Sequence, residues 1–111
     1  MTEIKDFTIE FLKILSDPTR LDILDYLKEN EKTSAEIQER LNRSQSTVSK
    51  HLSLLTETKL ISYERRGNVN YYKIRNSEIF SLLNSIKSFV DMLNKEKLKD
   101  LRDIDILDTL S

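Results

Sequence analysis

The segment that most constrains the fold of this chain is RSQSTVSKHLSLLT, residues 43–56. Val48, Leu52 and Leu55 recur at helical spacing, which predicts a helix over residues 45–57 with one narrow buried edge. Ser44 can cap this helix, because its hydroxyl accepts from free backbone N–H groups in the first turn. The opposite edge carries hydrogen-bonding side chains and no carboxylate: Gln45, Ser46, Ser49, Lys50 and Ser53. An edge that offers donors and acceptors without repelling phosphate is typical of a helix that lies in the major groove of DNA.

A second helix is predicted immediately before this one. Thr33 or Ser34 can cap a short helix over residues 35–41. Asn42 then falls at the turn between the two helices, where the backbone must adopt the left-handed conformation. Glycine is the commonest residue in that conformation and asparagine is its usual substitute. The sequence therefore predicts a helix-turn-helix over residues 34–57.

Residues 61–75 favour a β-hairpin. The segments 61–66 and 69–75 alternate in polarity and are rich in β-forming residues. Gly67, the only glycine of the chain, falls between them. A glycine at that point is explained by the positive φ that a tight turn requires. We expect residues 60–75 to form a wing beside the helix-turn-helix.

Amphipathic helices are predicted at both ends of the chain. Residues 3–15 place two phenylalanines and several aliphatic side chains on one face. A long last helix repeats this pattern, with its dimerisation part over about residues 77–101. Apolar residues up to Leu107 extend it at reduced regularity, and we expect its acidic tail to fray. Between the first helix and the helix-turn-helix, Asp17 can cap a helix over residues 18–29, which has Pro18 at its first position.

The order of these elements is helix, helix, helix-turn-helix, hairpin, helix. The expected fold class is mainly α with a small β-hairpin, forming a single winged helix-turn-helix domain over residues 1–111. Two amphipathic helices at the ends of so small a domain expose more apolar surface than one copy can bury, and dimerisation resolves this excess.

Composition excludes several classes of protein. A chain with no cysteine has no disulfide framework and no thiolate metal site. No apolar run approaches the roughly 20 residues that a membrane span requires, and the N-terminal residues lack the pattern of a signal peptide, so we expect a cytoplasmic protein. With one histidine and no glycine-rich phosphate loop, no constellation for acid–base or nucleophilic chemistry emerges. We therefore expect neither enzymatic activity nor a cofactor.

The charge of the chain is distributed unevenly. The net charge is −1, yet residues 40–75 hold 8 lysines or arginines against 2 carboxylates, a net of +6. Residues 1–39 hold 5 against 10, a net of −5, and residues 76–111 hold 5 against 7, a net of −2. The basic block, residues 40–75, contains both the helix over 45–57 and the wing. A local excess of this kind indicates a nucleic-acid contact more strongly than the overall charge does.

Three segments resemble the ArsR family of prokaryotic repressors: LSDPTRLDILDYL at 15–27, SQSTVSKHL at 44–52 and LISYERRGNVNYYKI at 60–74. They keep the family's order and cover most of residues 11–76. The resemblance implies a homodimer whose first and last helices form the interface, bound to a roughly palindromic operator in double-stranded DNA, usually as a repressor. The interface residues expected on this basis are Ile4, Phe7, Phe11, Phe80, Leu83, Phe89, Val90 and Leu93.

Many members of that family release DNA when a metal binds, and this sequence departs from them at the residues concerned. The family's cysteine motif would fall near residues 33–36, which contain no thiol. Its metal ligands on the last helix include histidine, whereas the only histidine of this chain is His51. Zinc sites need about four converging ligands, chiefly cysteine and histidine. We therefore expect no transition-metal site, while a site made only of oxygen ligands stays open.

The residues expected to contact DNA lie in the helix over 45–57, just before it, and in the wing. Glutamine can pair with adenine and lysine with guanine in the major groove, and wing arginines suit phosphates or a narrow minor groove. For His51 the expectation is a phosphate contact or none, and for Thr47 packing against the preceding helix is the alternative. Arg20 is expected to pair with a carboxylate inside the domain. The full set of expected DNA contacts is Arg43, Ser44, Gln45, Ser46, Thr47, Ser49, Lys50, His51, Arg65, Arg66, Asn68 and Asn70.

The leading functional hypothesis is a homodimeric, sequence-specific DNA-binding transcriptional regulator, usually a repressor in the family that it resembles. The alternative is a winged-helix module for protein–protein contacts within a transcription complex. That alternative predicts no specific duplex binding and a polar face that tolerates substitution. The absence of carboxylates from the face between Gln45 and Ser53 favours DNA.

Overall fold

Five helices and three strands make up the computed structural model, which describes the backbone of residues 2–110 and the side chains of residues 6–104. In chain order they are α1 (Thr2–Leu15), α2 (Pro18–Leu27), β1 (Lys32–Thr33), α3 (Ser34–Leu41), α4 (Gln45–Glu57), β2 (Ile61–Arg66), β3 (Val69–Ile74) and α5 (Glu78–Leu110). Met1–Ser77 form one compact unit and Glu78–Ser111 another. The expected fold class is confirmed, while a single domain over residues 1–111 stays a prediction. In the part of the chain that is described, no helix combines the length and apolar character of a membrane span.

The first unit is built around an apolar core that fixes the orientation of α4. Val48, Leu52 and Leu55 are at most 2% exposed, so the predicted buried edge is confirmed. Fully burying an aliphatic side chain of this size contributes roughly 1.5–3 kcal/mol. Rotation of α4 about its axis would lose that contribution three times over. The other buried apolar side chains of this unit are Leu15, Ile23, Leu24, Leu27, Ile37, Leu60 and Ile61.

Carboxylates take part in the caps that begin α2 and α3. At α2, the side chain of Asp17 accepts from the backbone N–H of Arg20 at 3.1 Å, with Pro18 at the first helical position. At α3, the hydroxyl of Thr33 accepts from the N–H of Glu36, whose carboxylate accepts in turn from the N–H of Thr33. The N–H and hydroxyl of Thr33 stabilise the charged form of this carboxylate and so lower the pKa of Glu36. The predicted cap at Asp17 is confirmed, and of the two caps predicted for α3 the structure shows Thr33.

The two helices of the helix-turn-helix each end at a residue in the left-handed backbone conformation. Asn42, after α3, has a φ of 53°, as the sequence predicts, and Lys59, after α4, has a φ of 64°, which the sequence does not reveal. At Lys59 the backbone follows the Schellman pattern. The N–H of Leu60 donates to the carbonyl of Leu55 at 3.2 Å, and the N–H of Lys59 donates to the carbonyl of Thr56 at 3.0 Å. These bonds end α4 abruptly and direct the chain into β2.

The wing belongs to a three-stranded antiparallel sheet in which β3 lies between β1 and β2. The sequence predicts the hairpin, and Gly67 at its tip has the positive φ, 63°, that was expected. It does not predict β1, because two residues are too short to show alternation. In this strand Lys32 pairs with Tyr72 and Thr33 with Tyr71. The wing is therefore paired directly with the residue that caps α3.

Helix α5 makes up the second unit and is 33 residues long. It extends to Leu110, through the less regular segment that follows the predicted dimerisation part at residues 77–101. The other helix and strand ends lie within two residues of the predicted ones. Large apolar side chains of α5 are exposed, among them Phe89, which is 57% exposed. A helix that is a unit by itself has no second element within that unit to cover its apolar stripe.

Substitution of Lys59 by glycine is expected to stabilise the protein. A residue with a Cβ pays roughly 1–2 kcal/mol in the left-handed conformation, and glycine loses part of that gain through its greater freedom in the unfolded chain. We expect Lys59→Gly to raise the free energy of unfolding by about 0.5–1 kcal/mol. Urea denaturation at a fixed protein concentration measures this change.

Lys73→Gly is the matched control, because Lys73 is also an exposed lysine but lies inside β3 without a positive φ. Glycine inside a strand weakens it, so this variant is expected to lose about 0.5–1 kcal/mol. Equal losses in the two variants would contradict the role assigned to the left-handed backbone at Lys59.

Candidate nucleic-acid interface

Helix α4 presents a polar face to solvent in its first turns. The burial of its apolar edge forces the intervening side chains outward, and the first carboxylate of the helix is Glu57 in its last turn. Of the residues expected to contact DNA, those exposed at this end of α4 are Arg43, Ser44, Gln45, Ser46, Ser49 and Lys50. The structure therefore brings together six of the predicted contacts, two of them cationic and four neutral.

The N-terminus of α4 is capped without a carboxylate. The hydroxyl oxygen of Ser44 accepts from the N–H of Thr47 at 3.3 Å, and the first turn contains no acidic residue. The Ser44 hydroxyl also donates to the Thr47 hydroxyl at 2.9 Å, and the two hydroxyls of Ser44 and Ser46 lie 3.2 Å apart. This end of the helix therefore keeps the positive end of the helix dipole and N–H groups that suit an anion.

His51 lies on α4 one turn after Thr47 and is held by Arg20. The Nη1 of Arg20 lies 3.0 Å from the Nδ1 of His51 and 4.0 Å from the carboxylate of Asp17. The expectation that Arg20 pairs with a carboxylate inside the domain is therefore confirmed. Burial lowers the pKa of His51, and the neighbouring cations lower it further, although Asp17 acts in the opposite direction.

Arg20 also completes the end of α1. Its Nε donates to the carbonyl of Ile14 at 2.6 Å and its Nη2 donates to the carbonyl of Lys13 at 3.1 Å. Burial alone would raise the pKa of Asp17, but the backbone N–H and the guanidinium of Arg20 outweigh it and lower that pKa. One guanidinium thus joins the last turn of α1, the cap of α2 and a side chain of α4.

The two wing arginines have different surroundings. The guanidinium of Arg66 donates to both carboxylate oxygens of Glu31, lies 3.8 Å from the carboxylate of Glu64 and lies over the ring of Tyr71, 4.0 Å from its centroid. These partners, first of all the hydrogen bond to Glu31, raise the pKa of Arg66. The side chain of Arg65 is exposed and forms no hydrogen bond or ion pair with any residue in the range 6–104. Arg65 is therefore free for an outside anion, whereas Arg66 holds the wing to the segment before β1.

The two wing asparagines also differ. Asn68 is exposed at the tip, next to Gly67. Asn70 is half-buried, and its Oδ1 is buried without a hydrogen-bond partner. It lies in a groove of about 290 Å³ between α4 and the strands, where Tyr63 and Tyr72 pack with their ring centroids 5.6 Å apart. The oxygen of Asn70 therefore does not face a nucleotide in this conformation, and the structure gives no support to the predicted DNA contact.

Sequence patterns did not reveal the contacts between β1 and its surroundings. Lys32 is only 9% exposed, lies 3.5 Å from the carboxylate of Glu29 and stands over the ring of Tyr26, 4.5 Å from its centroid. The guanidinium of Arg40 lies near the same ring, at 5.2 Å. Two cations, only one of them in the basic block, are thus used inside the protein. No periodic pattern in the sequence indicates that Lys32 and Arg40 contact the ring of Tyr26.

The side chains expected at a dimer interface lie on two helices, α1 and α5. On α1, Phe7 is 74% exposed, and with Phe11 and Leu54 it lines a largely apolar groove of about 510 Å³. Ile4 lies outside the residues whose side chains the structure describes. On α5, Phe80 and Leu83 are half-buried, whereas the exposed members of the expected set are Phe89, Val90 and Leu93.

Comparison with known proteins connects this geometry to a family. Residues 15–64 match the helix-turn-helix domain family. The transcriptional repressor SdpR of Bacillus subtilis is 35% identical over 79 residues, which cover 71% of this chain and 88% of the relative. The arsenical resistance operon repressor of Staphylococcus xylosus is 34% identical over 83 residues, covering 75% of this chain and 76% of the relative.

Solved structures show the same architecture. NolR from Sinorhizobium fredii superposes with a TM-score of 0.72 at 28% identity, covering 79% of this chain and 88% of that chain. The homodimeric winged helix-turn-helix DNA-binding domain Mb0332 from Mycobacterium bovis, a possible ArsR-family regulator, superposes with a TM-score of 0.71 at 26% identity, covering 81% and 83%. The exposed polar face of α4 and the wing beside it agree with these relatives. The chain therefore belongs to the ArsR family of winged helix-turn-helix transcriptional regulators.

Proposed function

We propose that this protein is a sequence-specific, double-stranded-DNA-binding regulator that acts as a homodimeric repressor on a palindromic operator. The observation that carries the proposal is the N-terminal half of α4. Its outward side chains are polar or cationic, and its cap is the neutral Ser44, whereas carboxylates take part in the caps of α2 and α3. A phosphate-bearing ligand is therefore favoured at α4 and repelled at the other two ends.

The proposed contacts divide by the chemistry of their surroundings. Gln45, Ser46, Ser49 and Lys50 would face base edges, while Arg43 and the N-terminal N–H groups of α4 would bind phosphate. In the wing, Arg65 and Asn68 would reach the backbone or the minor groove, because both are exposed. Arg66 would act chiefly by holding the wing in place through Glu31.

Dimerisation supplies the second half of the proposed site. Helices α1 and α5 both expose large apolar side chains, among them Phe7 and Phe89, and a contiguous apolar surface of this kind marks an interaction site. SdpR is a repressor and Mb0332 is homodimeric, which supports the same roles for this chain. Two copies of α4 related by a two-fold axis would contact half-sites about one helical turn, roughly 34–36 Å, apart.

The signal that releases DNA is proposed not to be a transition metal bound by thiolates or paired histidines. The chain has no cysteine, and the ring of its one histidine is already engaged by Arg20. A regulator of this family acts where the chromosome lies, so we assign the protein to the cytoplasm and expect no enzymatic activity.

Selection of duplexes from a random pool tests the proposal directly. The expected result is an enriched sequence with two-fold symmetry and half-sites one helical turn apart. A pool without enrichment would reject the DNA-binding function and favour the protein–protein alternative. The enriched duplex is then the ligand for the variants below.

Gln45→Ala is expected to relax sequence preference at one position in each half-site. A bidentate contact between glutamine and a base contributes about 1–3 kcal/mol of discrimination. Affinities for the enriched duplex and for its single-base variants measure this loss. Ser53→Ala, two turns further along the same exposed edge, is the control and should leave the preference unchanged. A preference that survives Gln45→Ala would remove Gln45 from the set of base contacts.

Arg65→Gln should flatten the dependence of affinity on salt more than Arg66→Gln does. Each phosphate neutralised contributes a slope of about 0.9 in a plot of log affinity against log salt. Arg65 is free to bind phosphate, while the charge of Arg66 is already balanced by Glu31 and Glu64. Titrations at several salt concentrations measure the slope, with Lys13→Gln on α1 as the matched charge control. Equal flattening by Arg65→Gln and Lys13→Gln would count against the wing contact.

Phe89→Glu is expected to shift the protein towards monomer. The ring is exposed on the apolar stripe of α5, and a carboxylate buried there in a dimer would have no partner. Sedimentation equilibrium over a range of concentrations measures the effect. Ser88→Glu adds the same charge on the opposite side of α5 and should leave the dimer intact. Identical association of the two variants would exclude this stripe from the interface.

A further inference from the structure

The tautomer of the only histidine is determined by its neighbour. The side chain of Arg20 is 12% exposed and holds four groups at once: two carbonyls at the end of α1, the carboxylate of Asp17 and the imidazole of His51. A guanidinium in a protein carries only donors. The Nδ1 of His51, 3.0 Å from Nη1, must therefore be the acceptor. In the neutral ring, the proton then resides on Nε2.

The Nε2 of His51 is directed away from Arg20 and is accessible. The two ring nitrogens diverge by covalent geometry, so the second faces away from the guanidinium. Within residues 6–104, the only buried side-chain nitrogen or oxygen without a hydrogen bond is the Oδ1 of Asn70. No hydrogen bond involves Nε2, which means that it is not buried and is free to donate outward.

The surroundings of this ring attract an anion. His51 follows Lys50 directly, and both Lys50 and Arg43 act on the ring electrostatically. The carboxylate of Asp17 acts on it in the opposite sense, but that carboxylate is paired with Arg20 on the inner side of the ring. It also lies one turn beyond Thr47 on the helix whose N-terminus has no carboxylate. A neutral N–H with two cations in its neighbourhood suits a phosphate oxygen, the commonest partner of protein donors on DNA.

We propose that His51 donates its Nε2–H to a phosphate of the operator and that Arg20 is the positioning residue that fixes the tautomer presenting this donor. The proposal rests on the proposed DNA-binding function. Arg20 itself is not assigned a DNA contact, because its side chain is 12% exposed and its hydrogen bonds go to the end of α1 and to His51. The guanidinium instead makes the imidazole a donor on its outer side.

Nuclear magnetic resonance tests the tautomer without any substitution. Because the chain has one histidine, the two imidazole nitrogens give unambiguous ¹⁵N signals in the labelled full-length protein. At pH 7.5 we expect a protonated Nε2 and an unprotonated Nδ1, with the Nε2 proton protected from exchange once the enriched duplex is bound. A proton on Nδ1, or an Nε2 proton that exchanges equally fast with and without the duplex, would overturn the proposal.

Two substitutions separate the inner and outer nitrogens of the ring. His51→Asn places an acceptor near the position of Nδ1 but removes the outer donor, whereas His51→Gln places an amide N–H near the position of Nε2. We expect His51→Asn to weaken binding by at least about tenfold, the effect of losing a hydrogen bond to a charged group, and His51→Gln to recover most of the affinity. The salt slope should stay unchanged in both, because a neutral donor releases no counterion.

Arg20→Gln tests the positioning role. It should weaken binding about as much as His51→Asn, and the double variant should bind no more weakly than either single variant, because both changes remove the same hydrogen bond to the duplex. Circular dichroism and thermal unfolding establish that each variant is folded. If a variant is not folded, the nuclear magnetic resonance measurement on the wild-type protein still tests the tautomer. Additive losses would assign Arg20 a separate role and overturn the coupling.

The outcomes distinguish this inference from the proposed function. If the wild-type protein binds no duplex, the proposed function fails and the inference fails with it. If the wild type binds its duplex while His51→Asn and His51→Gln bind equally well, only the inference fails. A flattened salt slope in His51→Asn would also overturn it, because the ring would then bind as a cation.

Discussion

The burial of Val48, Leu52 and Leu55 is the interaction on which the proposed site depends. These side chains are almost completely excluded from solvent, and a rotation that exposed them would bring Lys50 or Ser49 towards the core instead. Burying an unpaired ammonium group costs several kcal/mol, so only one orientation of α4 is stable. The polar face that we assign to DNA is therefore a consequence of the core, and its residues need no contact of their own to hold them outward.

Much of this arrangement could be predicted from sequence because it is local. The bounds of α4, its cap at Ser44, the left-handed Asn42 and the hairpin at Gly67 all depend on residues within one or two turns. The end of α5 could not be placed from the sequence, because a weakening apolar pattern does not by itself terminate a helix. The pairs Arg20–His51 and Arg66–Glu31 join residues 31 and 35 positions apart. No periodicity records such contacts, and two basic residues that looked equivalent, Arg65 and Arg66, proved to have different surroundings.

Electrostatics in this chain is organised at the level of individual helix ends and strands. Acidic residues serve the caps of α2 and α3, and a neutral serine serves the cap of α4. Two cations of the basic block, Arg40 and Arg66, are engaged by a ring or a carboxylate inside the protein. A net charge of −1 is thus compatible with a nucleic-acid contact, because few cations are needed when they are not opposed locally.

The two-residue strand β1 has a mechanical consequence. Thr33 both caps α3 and pairs with Tyr71 in the sheet, and Arg66 reaches Glu31 just before it. A force applied to the wing is therefore transmitted to the first turn of α3 through backbone pairing, because no flexible loop separates β1 from α3. The wing and the helix-turn-helix move together, so the protein fixes the distance between its two proposed contacts. The duplex must supply the adjustment, and sequences whose grooves already match that distance bind without the energy of deformation.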